Sequence, residues 1–227
     1  MTERDLHGWT IAFDLDGTLV ETAPDLVGTL NRLLAQRNLP PVPLESARHL
    51  IGHGAIALLK RGFEAAGARW DEDAAPALLS AFLADYLDHI ADHSTVYPGS
   101  IRALDQLAAR GAILCVATNK PTDLAVALFE VTHPGDRFAA VCGPQSVSAK
   151  KPDAAHIREA VIQAGGDPGR AIMVGDSVID LNAARAAGVP CILTTFGYTD
   201  IPAADLGADA VIAHYDDLPA AIGRLIA

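Results

Sequence analysis

The sequence predicts an α/β protein: a doubly wound, Rossmann-like parallel-sheet core with an inserted all-helical cap domain. Three observations predict it. Short runs that are apolar throughout recur along the chain, helical patterns fill the gaps between the later runs, and one long stretch lacks the alternation. Strands apolar on both faces belong to parallel sheets covered by helices on each side.

The apolar runs are residues 10–15, 113–118, 139–142, 171–175, 191–195 and 210–212. Helical patterns occupy 100–110, 121–130, 153–165, 177–187 and 216–226. From Thr22 to Val96 no strand is expected, only alanine- and leucine-rich segments such as DLVGTLNRLLAQRN. That stretch is too long for a loop and reads as helices. The domain reading is therefore a core of 1–21 and 97–227 with a helical cap of 22–96 inserted after the first strand. YPGS (Tyr97 to Ser100) marks the return to the core, with Ser100 read as the N-cap of the next helix.

Half of the 227 residues are hydrophobic and the net charge is −11. A sizeable core is available, and the acidic balance argues against nucleic acid or an anionic membrane as partner. A small phosphorylated metabolite is not excluded, because one local cation outweighs a distant acidic surface. Cys115, Cys142 and Cys191 form no CxxC pair and read as free thiols of a reducing compartment. The opening MTERDLHGW has no apolar signal region, and no apolar stretch reaches membrane-spanning length. The expectation is a cytoplasmic protein, monomer or homodimer.

The first run ends in FDLDGTLV, with Asp14 and Asp16 at the carboxyl end of a buried strand. Two carboxylates there repel each other and lose hydration unless a cation or a proton relieves them. A calcium loop starting at Asp14 would need Gly at its sixth position and Glu at its twelfth, but Leu19 and Asp25 stand there. A magnesium and phosphoryl-transfer site remains. Other strand ends supply its missing parts. ILCVATNK offers the Thr118 hydroxyl and the Asn119 amide as donors, SAKKPDA offers Lys151, and IMVGDSVID offers Asp176 with Asp180 one helical turn on.

In this order, the set resembles the haloacid dehalogenase superfamily of phosphohydrolases over nearly the whole chain. Asp14-Leu-Asp16-Gly-Thr18 is similar to its first motif, Thr118 to its second, Lys151 to its third, and Gly175-Asp176 with Asp180 to its fourth. TNK, KKP, GDSxxD and the C-terminal GY and LGADAVI segments most resemble its phosphoglycolate phosphatases. The pattern departs at Glu21, where Asp is commoner, and at Ala154, where proline is commoner. The resemblance implies magnesium (Mg2+) on the carboxylates of Asp14 and Asp176 and the main-chain carbonyl of Asp16. Asp180 would hold a metal-bound water or orient Lys151.

By the same resemblance, Asp14 attacks phosphorus to give an aspartyl-phosphate, and Asp16 protonates the leaving oxygen and later deprotonates water. Dehalogenases of the superfamily lack the second aspartate, so Asp16 points to phosphoester chemistry, with 2-phosphoglycolate as the implied substrate. For the leaving group, Gly52, His53 and Gly54 at a cap helix N-terminus are the expected contacts, with Arg48 and Arg61 nearby as further cations. Two other readings share the acidic pair, the threonine and the lysine. A phosphate-accepting signalling domain would be shorter and without a cap, and a sugar-phosphate mutase would more often carry Val at position 18.

Overall fold

A computed structural model describes residues 5–48, 51, 54–132 and 134–226. Its centre is a parallel sheet formed by β1 (Thr10–Phe13), β4 (Ile113–Ala117), β5 (Ala140–Cys142), β6 (Ala171–Gly175), β7 (Cys191–Thr194) and β8 (Ala210–Ile212). Among the described residues the strand order is β5-β4-β1-β6-β7-β8. The chain thus builds outward from β1 on one side, then returns to build on the other. That is the doubly wound order, and its switch point lies at β1, between β4 and β6.

Side chains alternate across the sheet, and the two faces form separate cores. Ile11, Phe13, Val116 and Val174 lie on one face with Leu104, Leu107 and Leu128. These leucines belong to α5 (Ser100–Ala109) and α6 (Thr122–Thr132). Ala12, Cys115 and Met173 lie on the other face with Ile157, Val161 and Leu181, carried by α7 (Ala154–Gln163) and α8 (Val178–Ala187). Burial of both faces is why these strands are apolar throughout. All three cysteines are buried free thiols, as expected.

Between β1 and α5 lie α1 (Ala23–Ala35), α2 (Leu44–Ala47), α3 (Ala55–Ala65) and α4 (Ala75–Asp88). Leu26, Leu30 and Leu34 of α1, Leu58 and Phe63 of α3, and Phe82 and Tyr86 of α4 form a core of their own. Among the described residues no helix is long and apolar enough to cross a membrane.

Two local expectations are corrected. A strand does occur near the end of the 22–96 stretch: β3 (Thr95–Val96) pairs antiparallel with β2 (Val20–Glu21). A two-residue strand carries no periodicity, so nothing in its residues announces it. The pair ties the start and end of the helical segment together. Ser100 is not the N-cap of α5. Gly99, at φ 83°, takes that place, and the Ser100 hydroxyl donates to the Tyr97 carbonyl at 2.8 Å. A side chain at position 99 would meet His214 at 2.9 Å besides adopting a left-handed backbone, so glycine decides the geometry.

Candidate active site

β1 delivers Asp14 to the switch point, where its N–H donates to the Val174 carbonyl at 2.9 Å and extends the pairing with β6. Leu15 starts a tight turn, its carbonyl accepting from the N–H groups of Leu19 at 2.9 Å and Val20 at 3.1 Å. Gly17 sits in that turn at φ 79°, and a Cβ there would lie 2.5 Å from the Asp176 carboxylate. The turn sends the two aspartates apart. Asp14 faces Lys151, whose Nζ lies 2.8 Å from its Oδ1. Asp16 accepts from the Thr22 hydroxyl at 2.7 Å and from Lys120 Nζ at 3.1 Å.

β6 ends at Gly175 and hands on Asp176, with α8 beginning just beyond. Asp180, in the first turn of α8, points back toward the sheet. Its Oδ2 accepts from the N–H groups of Asp176 at 3.2 Å and Ser177 at 3.1 Å, and from the Ser177 hydroxyl at 2.8 Å. Its Oδ1 holds Lys151 Nζ at 2.7 Å. Asp176 accepts from the N–H of Tyr198 at 2.6 Å.

Thr118 follows β4 and is buried, its hydroxyl oxygen accepting from the Lys120 N–H at 3.1 Å. Asn119 lines the same cavity but holds the main chain of Lys151, accepting from its N–H at 2.9 Å and donating to its carbonyl at 3.0 Å. One amide hydrogen remains for a substrate oxygen. His156, also buried, points its two ring nitrogens at the carbonyls of Ala149 and Cys142 beneath the Lys151 loop. Burial, with the nearby Lys151 charge, pushes its pKa down to about 4, so it is a neutral support.

The acids are electrostatically strained. Ligand oxygens of Asp14, Asp176 and Asp180 lie within 4.8 Å of one another, all buried. Burial, with the charges of Asp180 and Asp16, pushes the Asp14 pKa up to about 6 despite Lys151. Burial, with Asp180 and Asp14, holds Asp176 well above the usual carboxylate range. Burial alone would depress the Lys151 ammonium, but Asp14 and Asp180 outweigh it and hold the pKa above the ordinary value. Three ionised carboxylates against one ammonium leave two negative charges in a buried space. An all-oxygen donor set with that excess fits a hard divalent cation.

A family model for haloacid dehalogenase-like hydrolases matches residues 11–194, a span that includes every acid and lysine described above. The chain belongs to that family. Among its relatives, a phosphoglycolate phosphatase of Caulobacter vibrioides is 52% identical over 225 residues, covering 99% of this chain and 95% of the relative. One of Agrobacterium fabrum is 43% identical, covering 100% of this chain and 97% of the relative. The crystal structure of a predicted phosphoglycolate phosphatase from Haemophilus somnus superposes with a TM-score of 0.84 at 32% identity, covering 96% of this chain and 97% of that one. The haloacid dehalogenase-like chain is an enzyme, a phosphatase.

In this hydrolase the site opens into a cavity of about 60 Å³ between the sheet and the inserted helices. Asp14, Asp16, Thr118, Asn119 and Lys151 line its floor; Leu26, Ile51, Leu58, Phe82 and Tyr86 line its roof. Gly54 also lines it, as the residue that precedes α3, at φ 90°. Gly52 and His53 lie outside the described residues. Arg48 is turned elsewhere: it pairs with Glu21 at 2.5 Å and lies over the Tyr198 ring. Neither Arg48 nor Arg61 is among the described lining residues.

Sequence reasoning passed over Lys120. Its Nζ is buried between Asp16 and the Tyr86 hydroxyl, 2.8 Å from the latter. Burial would lower its pKa, but Asp16 and Tyr86 outweigh that and raise it. The signal was present, as the last letter of ILCVATNK, one residue beyond the donors already singled out. Tyr86 gave less, being one tyrosine on an apolar helix.

Proposed function

We propose that this enzyme hydrolyses 2-phosphoglycolate to glycolate and phosphate, with magnesium as cofactor and an aspartyl-phosphate on Asp14 as intermediate. Residues 22–96 act as a cap over a core made of 1–21 and 97–227. The observation that carries the reading is the buried Asp14 carboxylate, 2.8 Å from Lys151 and one turn from a second, separately held aspartate.

A carboxylate approaching a phosphate dianion meets roughly 9 kcal/mol of repulsion at 3.5 Å and an effective dielectric near 20. Magnesium, held by the carboxylates of Asp14 and Asp176 and the Asp16 carbonyl, would neutralise phosphoryl charge and let the attack proceed. Lys151 supplies a second positive charge, and the Thr118 hydroxyl and the free Asn119 amide hydrogen supply donors. Asp14 forms the new bond to phosphorus as the ester P–O bond breaks, and Asp16 gives its proton to the departing alkoxide. Asp16 then removes a proton from the water that attacks phosphorus, which releases phosphate and restores Asp14. Asp180 keeps Lys151 aimed at the phosphoryl group.

The names of the relatives support 2-phosphoglycolate as the substrate. The test is phosphate release from a panel of small phosphomonoesters, with and without magnesium. The highest kcat/KM on 2-phosphoglycolate, abolished by chelator, is expected. A preference for uncharged sugar phosphates, or full activity in chelator, would overturn the assignment.

A further inference from the structure

We propose that Lys120 and Tyr86 together bind the carboxylate of the substrate, Lys120 from the core and Tyr86 from the helical cap. The proposal rests on the reading that the leaving group is a short carboxylic acid.

The cavity has two cationic poles. Lys151 lies between Asp14 and Asp180 and serves the phosphoryl end. Lys120 is the only other cation among the described lining residues, and it sits at the opposite side of the acid–base aspartate, under the roof. It springs from the same loop as Thr118, two residues on, so a group reaching from the phosphoryl oxygens to Lys120 has to be short.

The cavity that holds Lys120 is also lined by Leu26, Leu58, Phe82 and Leu124. A carboxylate entering that space without a cation would lose its hydration uncompensated. Lys120 and Tyr86 have donors to offer. Of the three ammonium hydrogens, one goes to the Asp16 carboxylate, shared between Oδ1 at 3.1 Å and Oδ2 at 3.4 Å, and one to the Tyr86 oxygen at 2.8 Å. One remains. The Tyr86 oxygen accepts from Lys120, so its own hydrogen is free to donate. One ammonium N–H and one phenol O–H, held side by side in a buried site, match the two oxygens of a carboxylate. Tyr86 belongs to α4, so the carboxylate joins the two parts of the protein across the cavity. Binding of the correct acid would then favour closure.

The test compares 2-phosphoglycolate with 2-phosphoglycolamide, its isostere that lacks the carboxylate charge, in the wild type, Lys120→Met, Lys120→Arg and Tyr86→Phe. The wild type is expected to favour the acid. Lys120→Met should lose about 10- to 100-fold more kcat/KM on the acid than on the amide, chiefly through KM, with partial recovery in Lys120→Arg. Tyr86→Phe keeps the ring and the fold, and should lose several-fold more on the acid than on the amide. Equal losses on both substrates in Lys120→Met and Tyr86→Phe would overturn the proposal and leave the pair as supports for Asp16, with the substrate reading intact. Should Lys120→Met fail to fold, the Tyr86→Phe comparison decides alone. A wild type indifferent between acid and amide would instead overturn the substrate reading, and this proposal with it.

Discussion

Oδ1 of Asp180 lies 2.7 Å from Nζ of Lys151, while Oδ2 of the same carboxylate takes three other donors. Asp176 accepts one main-chain N–H, so it has more lone-pair capacity for a cation. The two acids should therefore separate in a magnesium titration. Asp180→Asn is expected to lower kcat about 10- to 100-fold by letting Lys151 drift, while the magnesium concentration for half-maximal rate changes by less than about threefold. Asp176→Ala should raise that concentration more than about tenfold. The opposite pattern would make Asp180 the principal ligand.

The Asp14 carboxyl, near 3.8 when unfolded and about 6 when folded, makes stability depend on pH. Between about pH 4 and 6 the folded chain keeps this proton and the unfolded chain has released it. Stability from this group therefore falls as pH rises through that window and stays lost above it. Asp14→Asn, an isostere of the protonated acid, should stabilise the metal-free protein at pH 7.5 by roughly 1–3 kcal/mol, several degrees in Tm. The gain should vanish toward pH 4, and magnesium should stabilise the wild type more than the variant. Thermal melts at pH 4.5 and 7.5, with and without magnesium, check this. A variant less stable than wild type at pH 7.5 without metal would show that the Lys151 pair outweighs the repulsion.

Helix α1 begins at Ala23 without a side-chain cap, because the Thr22 hydroxyl is engaged by Asp16. The Tyr198 hydroxyl fills that role from far along the chain, accepting from the N–H groups of Thr22 at 2.7 Å and Ala23 at 3.0 Å. It donates in turn to Glu21 at 2.8 Å. Tyr198→Phe leaves the buried Thr22 N–H unpaired, while Ala23 keeps the Glu21 carboxylate at 3.2 Å; the change should cost about 1–3 kcal/mol, visible as a Tm lower by roughly 2–10 °C. A melt unchanged within error would mean that water replaces the phenol.

In the proposed mechanism Asp16→Asn keeps the main-chain carbonyl that would hold the metal but removes the side chain that would carry the proton. Turnover should fall about 10²–10⁴-fold with the magnesium requirement little altered. A comparable loss of magnesium affinity would transfer the Asp16 side chain to the metal site.

Much of this architecture was legible in the residues, for physical reasons. The strands of the sheet are buried on both faces, so each appears as an uninterrupted apolar run, and Asp14 and Asp176 stand out as charges at the ends of such runs. Asp180 was expected within reach of Asp176 because one helical turn fixes the direction. Long-range partners left no such trace. Nothing in the sequence near Tyr198 says that its phenol caps α1, or that the Asn119 amide grips the Lys151 main chain. The β2–β3 pair is too short to carry a period, and Gly99 displaced Ser100 as a cap through a left-handed turn crowded by His214, Tyr215 and Asp216 from far along the chain. Lys120 was visible as a residue, but its place depends on Tyr86 arriving from a separate helix.

The central claim is covalent catalysis by Asp14, and its most direct test is acid-quenched turnover of ³²P-labelled 2-phosphoglycolate with magnesium present, followed by mapping of the labelled peptide. A phosphoryl group on Asp14 during steady-state turnover, absent from Asp14→Asn, is the expected result. Continued phosphate release with no label on the protein, or with the label on a peptide that lacks Asp14, would contradict it.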